Sequence, residues 1–141
     1  CKMLSLIVLI SAILAALVPR LSAHTTSLGK CPEVKSMEDF KTDMILGDWY
    51  VVKKSSTSST CVKYNFTKVD EDNLQLDQKM LLPIKSTVRY IGDLKIRHRD
   101  VPAEMVVDFP LNFGKAEYYV LWVDDKGQSA VIFSCQTAGP A

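Results

Sequence analysis

The feature that most constrains the fold is a period-two alternation of apolar and polar side chains that begins after Gly47 and runs to the last cysteine. Because successive side chains of a β-strand point to opposite faces, this period predicts strands with one apolar face. Turn-forming residues separate the alternating segments, which are 49–54, 61–69, 73–82, 87–96, 104–109, 117–123 and 129–135. Short strands joined by tight turns predict an all-β sandwich or an up-and-down antiparallel barrel.

A glycan acceptor triplet indicates which face of the second predicted strand points outward. Asn65, Phe66 and Thr67 form the Asn-x-Thr sequence that accepts an N-linked glycan in exported proteins. A glycosylated Asn65 must face solvent, so Tyr64 and Phe66 are predicted to face inward. The third strand has an equally distinct face, made of Leu74, Leu76, Gln78 and Met80. One apolar face per strand is what a single layer around one interior requires.

An apolar run at 4–18 precedes the alternating region. It is shorter than the roughly 20 residues of a membrane span, and the small residues Ser22 and Ala23 follow it. We interpret 1–23 as a secretory signal peptide and 24–141 as one secreted, extracellular domain. The signal holds two of the 17 basic residues and no acidic one, which leaves the domain a net charge of −1. That charge speaks against a nucleic-acid partner, which needs a basic face.

Export places the cysteines of this domain where disulfides persist. Cys31, Cys61 and Cys135 are an odd number, so one has no partner within the sequence. That cysteine pairs with another molecule, stays free, or bonds to a residue outside this sequence.

A short helix is predicted just before the first strand, between Ser36 and Leu46. Met37, Phe40 and Met44 follow the helical spacing there, and Ser36 with Asp39 resembles a capping box.

Three stretches, 30–52, 61–67 and 116–135, resemble the lipocalins, and within that family the apolipoprotein D and insect bilin-binding group. Gly47-Asp48-Trp49 matches the Gly-x-Trp signature of the family, and a Cys-Pro pair precedes it at Cys31. Only Asp124 meets the second signature, Thr-Asp-Tyr, and the arginine of the third has no counterpart. The resemblance implies an eight-stranded up-and-down barrel with a short N-terminal helix. This sequence would supply seven of the strands, without the last strand and the C-terminal helix.

The resemblance also implies structural roles for individual residues. Cys31 would bond to Cys135, and Cys61 to a C-terminal cysteine that this sequence does not contain, so we expect a truncated record or a shortened splice form. The barrel floor would include Gly47, Trp49 and Asp124, with Trp49 as its plug.

The function that the resemblance implies is carriage of a small hydrophobic ligand, such as a fatty acid, retinoid, sterol, bilin or pheromone, inside the barrel. The residues that share the inward phase are its predicted lining: Val51, Tyr64, Phe66, Leu76, Met80, Val88, Tyr90, Met105, Val107, Tyr118, Val120 and Trp122. A solid core would use the same residues, so each of them is also explained by packing. Tyr64, Tyr90 and Tyr118 are the stronger candidates because a buried phenol needs a hydrogen-bond partner and can orient the polar end of a ligand.

Two other classes of function are open. One is a surface-interaction or signalling lipocalin without a tight ligand, which leaves membrane or receptor contact and the oligomeric state undetermined. The other is a lipocalin-type isomerase that uses Cys61 as nucleophile, but the predicted outward phase of Cys61 argues against it, and we expect no enzyme and no catalytic residue. No metal site is expected, since His24 and His98 are the only histidines, and no cofactor is expected unless the ligand is a bilin chromophore.

Overall fold

The computed structural model describes residues 30–55, 60–82, 86–110 and 115–137. Within these ranges nearly all regular structure is antiparallel sheet, preceded by one 3-10 turn at Thr42–Met44. The strands are β1 Gly47–Tyr50, β2 Thr60–Lys68, β3 Asn73–Leu81, β4 Thr87–Ile96, β5 Glu104–Asp108, β6 Ala116–Val123 and β7 Ala130–Cys135. Each predicted strand is therefore present, and β1 begins and ends earlier than the alternation indicated.

The strands form one sheet in sequence order, β1 to β7, and every neighbouring pair is antiparallel. The sheet curls strongly. The rings of Phe66 on β2 and Tyr118 on β6 approach to 6.4 Å between centroids although three strands separate them along the sheet. Only a sheet that closes around an interior brings these two strands face to face, so the predicted up-and-down barrel architecture is confirmed as a seven-stranded half-barrel.

The interior at one end of this half-barrel is a packed apolar core. Its most completely buried side chains come from several strands and from the segment before β1: Ile45, Leu74, Leu76, Leu94, Met105, Val120 and Val123. A disulfide between Cys31 and Cys135 joins the segment before β1 to the end of β7. This is the pairing that the lipocalin resemblance implies.

The predicted helix between Ser36 and Leu46 is wrong except for the 3-10 turn at Thr42–Met44. Competing bonds to the sheet explain the difference. The backbone N–H of Met37 donates to the carbonyl of Val120 at 2.9 Å, and the Ser36 hydroxyl donates to Glu104 at 3.0 Å. Because Ser36 and Met37 are bound to other strands, they are not available as a helix cap and a first turn.

Two register shifts alter the alternation of side chains. Between β2 and β3, Thr60 pairs with Leu81 but Lys63 pairs with Lys79, so β2 has an extra residue near Cys61, whose φ is +52°. Between β6 and β7 the shift falls between Val120 and Trp122. Such bulges turn the following side chain toward the other face of the sheet.

The predicted signal peptide, 1–23, and His24 lie outside the residues that the structure describes. The described residues 30–54 and 60–137 belong to one compact unit. In the described part of the chain, no helix is long and apolar enough to cross a membrane.

Candidate ligand-binding site

The floor of the half-barrel is built around Trp49. Its indole Nε1–H donates to the carbonyl of Ile45 at 2.7 Å, and the ring packs against the apolar core. Gly47 has φ +93°, a conformation that residues with a Cβ rarely adopt, and so permits the turn that places Trp49 in the first strand. The sequence Gly-x-Trp therefore has a local structural reason here.

Asp124 lies at the same end, in the turn between β6 and β7. Its carboxylate accepts backbone N–H bonds from Gln128 and Ser129, and its carbonyl accepts one from Gly127. An ideal Cβ on Gly127 would lie 3.9 Å from the carbonyl oxygen of Met44, so this turn approaches the 3-10 turn beneath the barrel. Asp124 thus fixes a hairpin that borders the floor.

Ten of the twelve predicted lining residues fall into two groups. Phe66, Leu76, Met105, Val107 and Val120 are buried almost completely by their neighbours. They fill the interior nearest the floor, where the packing interpretation accounts for them. We call this the closed end.

The second group is partly exposed. Val51, Tyr64, Met80, Val88 and Tyr90 share the inward phase of β1 to β4 with the buried group but keep accessible surface. We call the region that they line the cup. Apolar side chains on the concave face of a sheet, with surface left uncovered, are the geometry of a small-molecule site.

The cup also contains a row of polar side chains. Gln78 on β3 pairs in register with Tyr64 on β2 and with Tyr90 on β4. All three are partly exposed, and none has a hydrogen-bond partner for its side chain among the described residues. Gln78 was not among the predicted site residues, although a lone amide between the inward residues Leu76 and Met80 is a signal that the sequence contains.

Tyr118 is the most unusual group of the site. The residue is 4% exposed, and its hydroxyl is buried without a hydrogen-bond partner in the described part of the chain. Burial raises the pKa of this phenol well above its usual value, and the nearby Tyr64 hydroxyl raises the pKa further. Burial also raises the pKa of Tyr64. Both phenols are therefore neutral donors at physiological pH.

Phe109 is a second lining residue that the prediction missed. Gly92 occupies an inward position on β4, and a Cβ there would lie 2.6 Å from two atoms of the Phe109 ring. The ring thus covers the gap that the glycine leaves. A glycine within the apolar phase of a strand is a known sign of such close approach.

Trp122 does not belong to the lining, and this prediction is wrong. The register shift after Val120 turns Trp122 outward, where it is 48% exposed and pairs with the exposed Val131 of β7. Val123 takes the inward position instead and is buried. Extrapolating a period of two through the bulge caused the error.

The outer face of β2 is polar, as the predicted glycan requires. The Asn65 amide donates to Asp48 at 2.8 Å, and Thr67 donates to the Asn65 carbonyl oxygen at 3.1 Å. The Lys63 ammonium lies 2.9 Å from Asp48 and, with Asn65, holds the pKa of that carboxyl below its usual range. Cys61 is exposed and free in this structure.

No protein-family model matches the sequence. The chain is 29% identical to apolipoprotein D of Rattus norvegicus over 132 residues, which are 92% of this chain and 69% of the relative. It is 29% identical to apolipoprotein D of Mus musculus over 129 residues, and 28% identical to that of Bos taurus over 134 residues. These matches span 89% and 93% of this chain and 68% and 70% of the relatives.

A solved structure agrees in fold. The crystal structure of lobster apocrustacyanin A1 superposes with a TM-score of 0.51 and 17% identity, over 68% of this chain and 53% of that one. The sequence matches and the shared fold support the lipocalin family that the sequence resembles. The chain spans about half the length of the crustacyanin structure and just over two thirds of the apolipoprotein D sequences.

Among the described residues, no three His, Cys, Asp or Glu side chains come together as ligands. The described part of the chain also buries no charged side chain. The cup therefore offers apolar contact and neutral hydrogen-bonding groups.

Proposed function

We propose that this lipocalin is an extracellular carrier that binds one small hydrophobic ligand in the cup. The observation that carries the proposal is the difference between the two ends of one concave face. Inward side chains near the floor are buried by their neighbours, whereas Met80, Val88 and Tyr90 on the same face keep exposed surface. The name of the mammalian relatives, apolipoprotein D, associates those proteins with lipid.

The expected affinity suits pick-up and release. Burying about 12 methylenes at about 0.8 kcal/mol each contributes about 10 kcal/mol. Association and ordering cost several kcal/mol or more. The remainder corresponds to dissociation constants of about a micromolar or weaker for a simple alkyl chain.

Secretion and glycosylation at Asn65 are part of the proposal. The Cys31–Cys135 disulfide supports an oxidising compartment, and the exposed outer-face position of the Asn65 to Thr67 hydrogen bond supports an accessible acceptor. A bilin chromophore is one of the ligands that the cup would take.

We propose a carrier rather than an isomerase. Cys61 is exposed, at the bulge of β2, whereas an internal nucleophile would have to face the cup. The alternative of a surface-interaction protein is favoured by one feature, the exposed pair of Trp122 and Val131 on the outer face of β6 and β7. This pair would contact a receptor or membrane.

A cup-blocking variant tests the proposal. Val88→Trp places an indole in the cup, and its control Thr87→Trp places one on the opposite, exposed face of the same strand. The probe is 1-aminoanthracene, whose fluorescence rises in apolar sites, displaced by a fatty acid, a retinoid, a sterol and a bilin in turn. We expect V88W to weaken probe binding at least about tenfold and T87W to leave it unchanged. Equal binding by V88W and the wild type would show that the cup is not the site.

A further inference from the structure

Gln78 lies in the centre of a polar row whose side chains have no hydrogen-bond partner among the described residues. The register places Tyr64, Gln78 and Tyr90 side by side across β2, β3 and β4. Along β3 and β4 the next inward neighbours toward the open end, Met80 and Val88, are apolar. An amide supplies two donors and an acceptor, so a single polar group in an apolar wall defines where an oxygen of a ligand would sit.

Tyr118 faces the same interior from the opposite wall. The Phe66 ring bridges the two walls, since it lies 6.2 Å from the Tyr64 ring and 6.4 Å from the Tyr118 ring between centroids. The Tyr118 hydroxyl is fully buried without a partner among the described residues. A buried hydroxyl without a partner is costly, so an uncharged ligand oxygen that reached it would remove that cost.

The charge of the interior determines which ligand oxygen fits. Lys68 is the only cation on the inward phase of the described strands, and its ammonium is 3.1 Å from Glu71 at the strand end. None of the residues that line the cup on β1 to β4 is a cation, so a carboxylate bound beside Gln78 would lose its hydration without an adjacent positive charge. A hydroxyl, ketone or ester carbonyl needs only the one or two hydrogen bonds that the row supplies.

We infer that Gln78 is a specificity-determining residue, which with Tyr64, Tyr90 and Tyr118 selects apolar ligands that carry an uncharged oxygen over ligands that carry a carboxylate. This inference rests on the proposed carrier function and names the ligand class of the same cup. Gln78 acts on the ligand directly, by donating to or accepting from its oxygen.

The test compares two probes that differ only at the head group, dodecan-1-ol and dodecanoate at pH 8. Each displaces 1-aminoanthracene from the wild-type protein, from Gln78→Leu and from Gln75→Leu. Gln75 is the matched control because it lies exposed on the outer face of the same strand. One hydrogen bond to a neutral partner corresponds to a change of about threefold to tenfold in affinity.

We expect Q78L to raise the dissociation constant of dodecan-1-ol by about threefold to tenfold and to leave those of dodecanoate and of the dye within about twofold. Q75L should change none of them. If Q78L lowers the ratio of alcohol to carboxylate affinity no more than Q75L does, Gln78 does not select the head group, although the carrier proposal stands. If the dye and both probes fail to bind the wild-type protein, the carrier proposal and this inference fall together.

Discussion

Replacing Tyr118 by Phe should make the ligand-free protein more stable, which is unusual for a change in a buried core. The Tyr118 hydroxyl is buried with no partner in the described part of the chain, and an unsatisfied polar group costs about 1 to 3 kcal/mol. Y118F removes that cost and leaves no other group unpaired. We expect a gain of about 1 kcal/mol, which for a domain of this size raises Tm by about 4 °C.

The pH dependence provides a second readout of the same group. Burial raises the pKa of Tyr118 in the folded protein above its value in the unfolded protein, so the effect of this group on the free energy of unfolding is constant below the ordinary tyrosine pKa. The free energy of unfolding then declines as the pH rises from there toward the folded-state pKa, by up to about 1.4 kcal/mol per pH unit. Above about pH 10, Y118F should therefore lose stability less steeply than the wild type.

The assay is urea unfolding followed by circular dichroism, without ligand and with dodecan-1-ol. The control is Tyr119→Phe on the same strand, whose hydroxyl donates to Glu117 at 2.9 Å and whose loss should cost about 0.5 to 1 kcal/mol. We expect the change in the free energy of unfolding to be positive for Y118F and negative for Y119F. We also expect dodecan-1-ol to stabilise Y118F less than it stabilises the wild type. A loss of 1 kcal/mol or more in ligand-free Y118F would mean that the hydroxyl is already satisfied, and would refute the reasoning.

Three further changes test the frame of the site by the same unfolding assay. Replacing Cys31 and Cys135 by Ser removes a cross-link of sequence separation 104 and should lower the free energy of unfolding by about 3 to 5 kcal/mol. A decrease below about 1 kcal/mol would contradict this expectation. Gly92→Ala places a Cβ 2.6 Å from the Phe109 ring and should cost about 1 to 3 kcal/mol, part of which Phe109→Leu restores; an unchanged midpoint would show that the ring moves freely. Cys61→Gly should exceed Cys61→Ala in stability by about 1 kcal/mol because φ is +52° there, and equal stabilities would argue against the left-handed conformation.

Much of the sheet was predictable because a strand that is buried on one face requires apolar and polar side chains to alternate with a period of two. The alternation of β4, in which Val88, Tyr90 and Leu94 face inward, gave the strand its observed bounds, Thr87–Ile96. The turn residues between strands separated the segments for an equally local reason. Both signals depend on short-range backbone chemistry that a single sequence contains.

The errors arose where tertiary contacts override local pattern. Trp122 follows a bulge, and the extra residue that displaces it has no signature in a run of apolar side chains. Met37 and Phe40 have helical spacing, but no helix forms there because the segment makes hydrogen bonds to β5 and β6, which are far away in sequence. Neither partner can be identified from the segment itself.

The candidate site was predictable in outline but not in its polar detail. The phase of the strands identified Tyr64, Tyr90 and Tyr118, but it could not show which of these phenols would lack a hydrogen-bond partner. The roles of Gln78 and Phe109 could be identified only from the register between strands. Gln78 lies beside Tyr64 and Tyr90, and Phe109 packs over Gly92.

Isotope-edited NOE spectroscopy of the complex with dodecan-1-ol tests the central claim, ligand binding inside the half-barrel, most directly. Met80 and Val88 lie in the cup, whereas the exposed Ile91 and Val131 lie on the outer face of the sheet. We predict contacts from the methylene protons of the alcohol to the methyl groups of Met80 and Val88 and none to Ile91 or Val131. Contacts confined to Ile91 or Val131, with the methyl groups of Met80 and Val88 unaffected, would contradict the account.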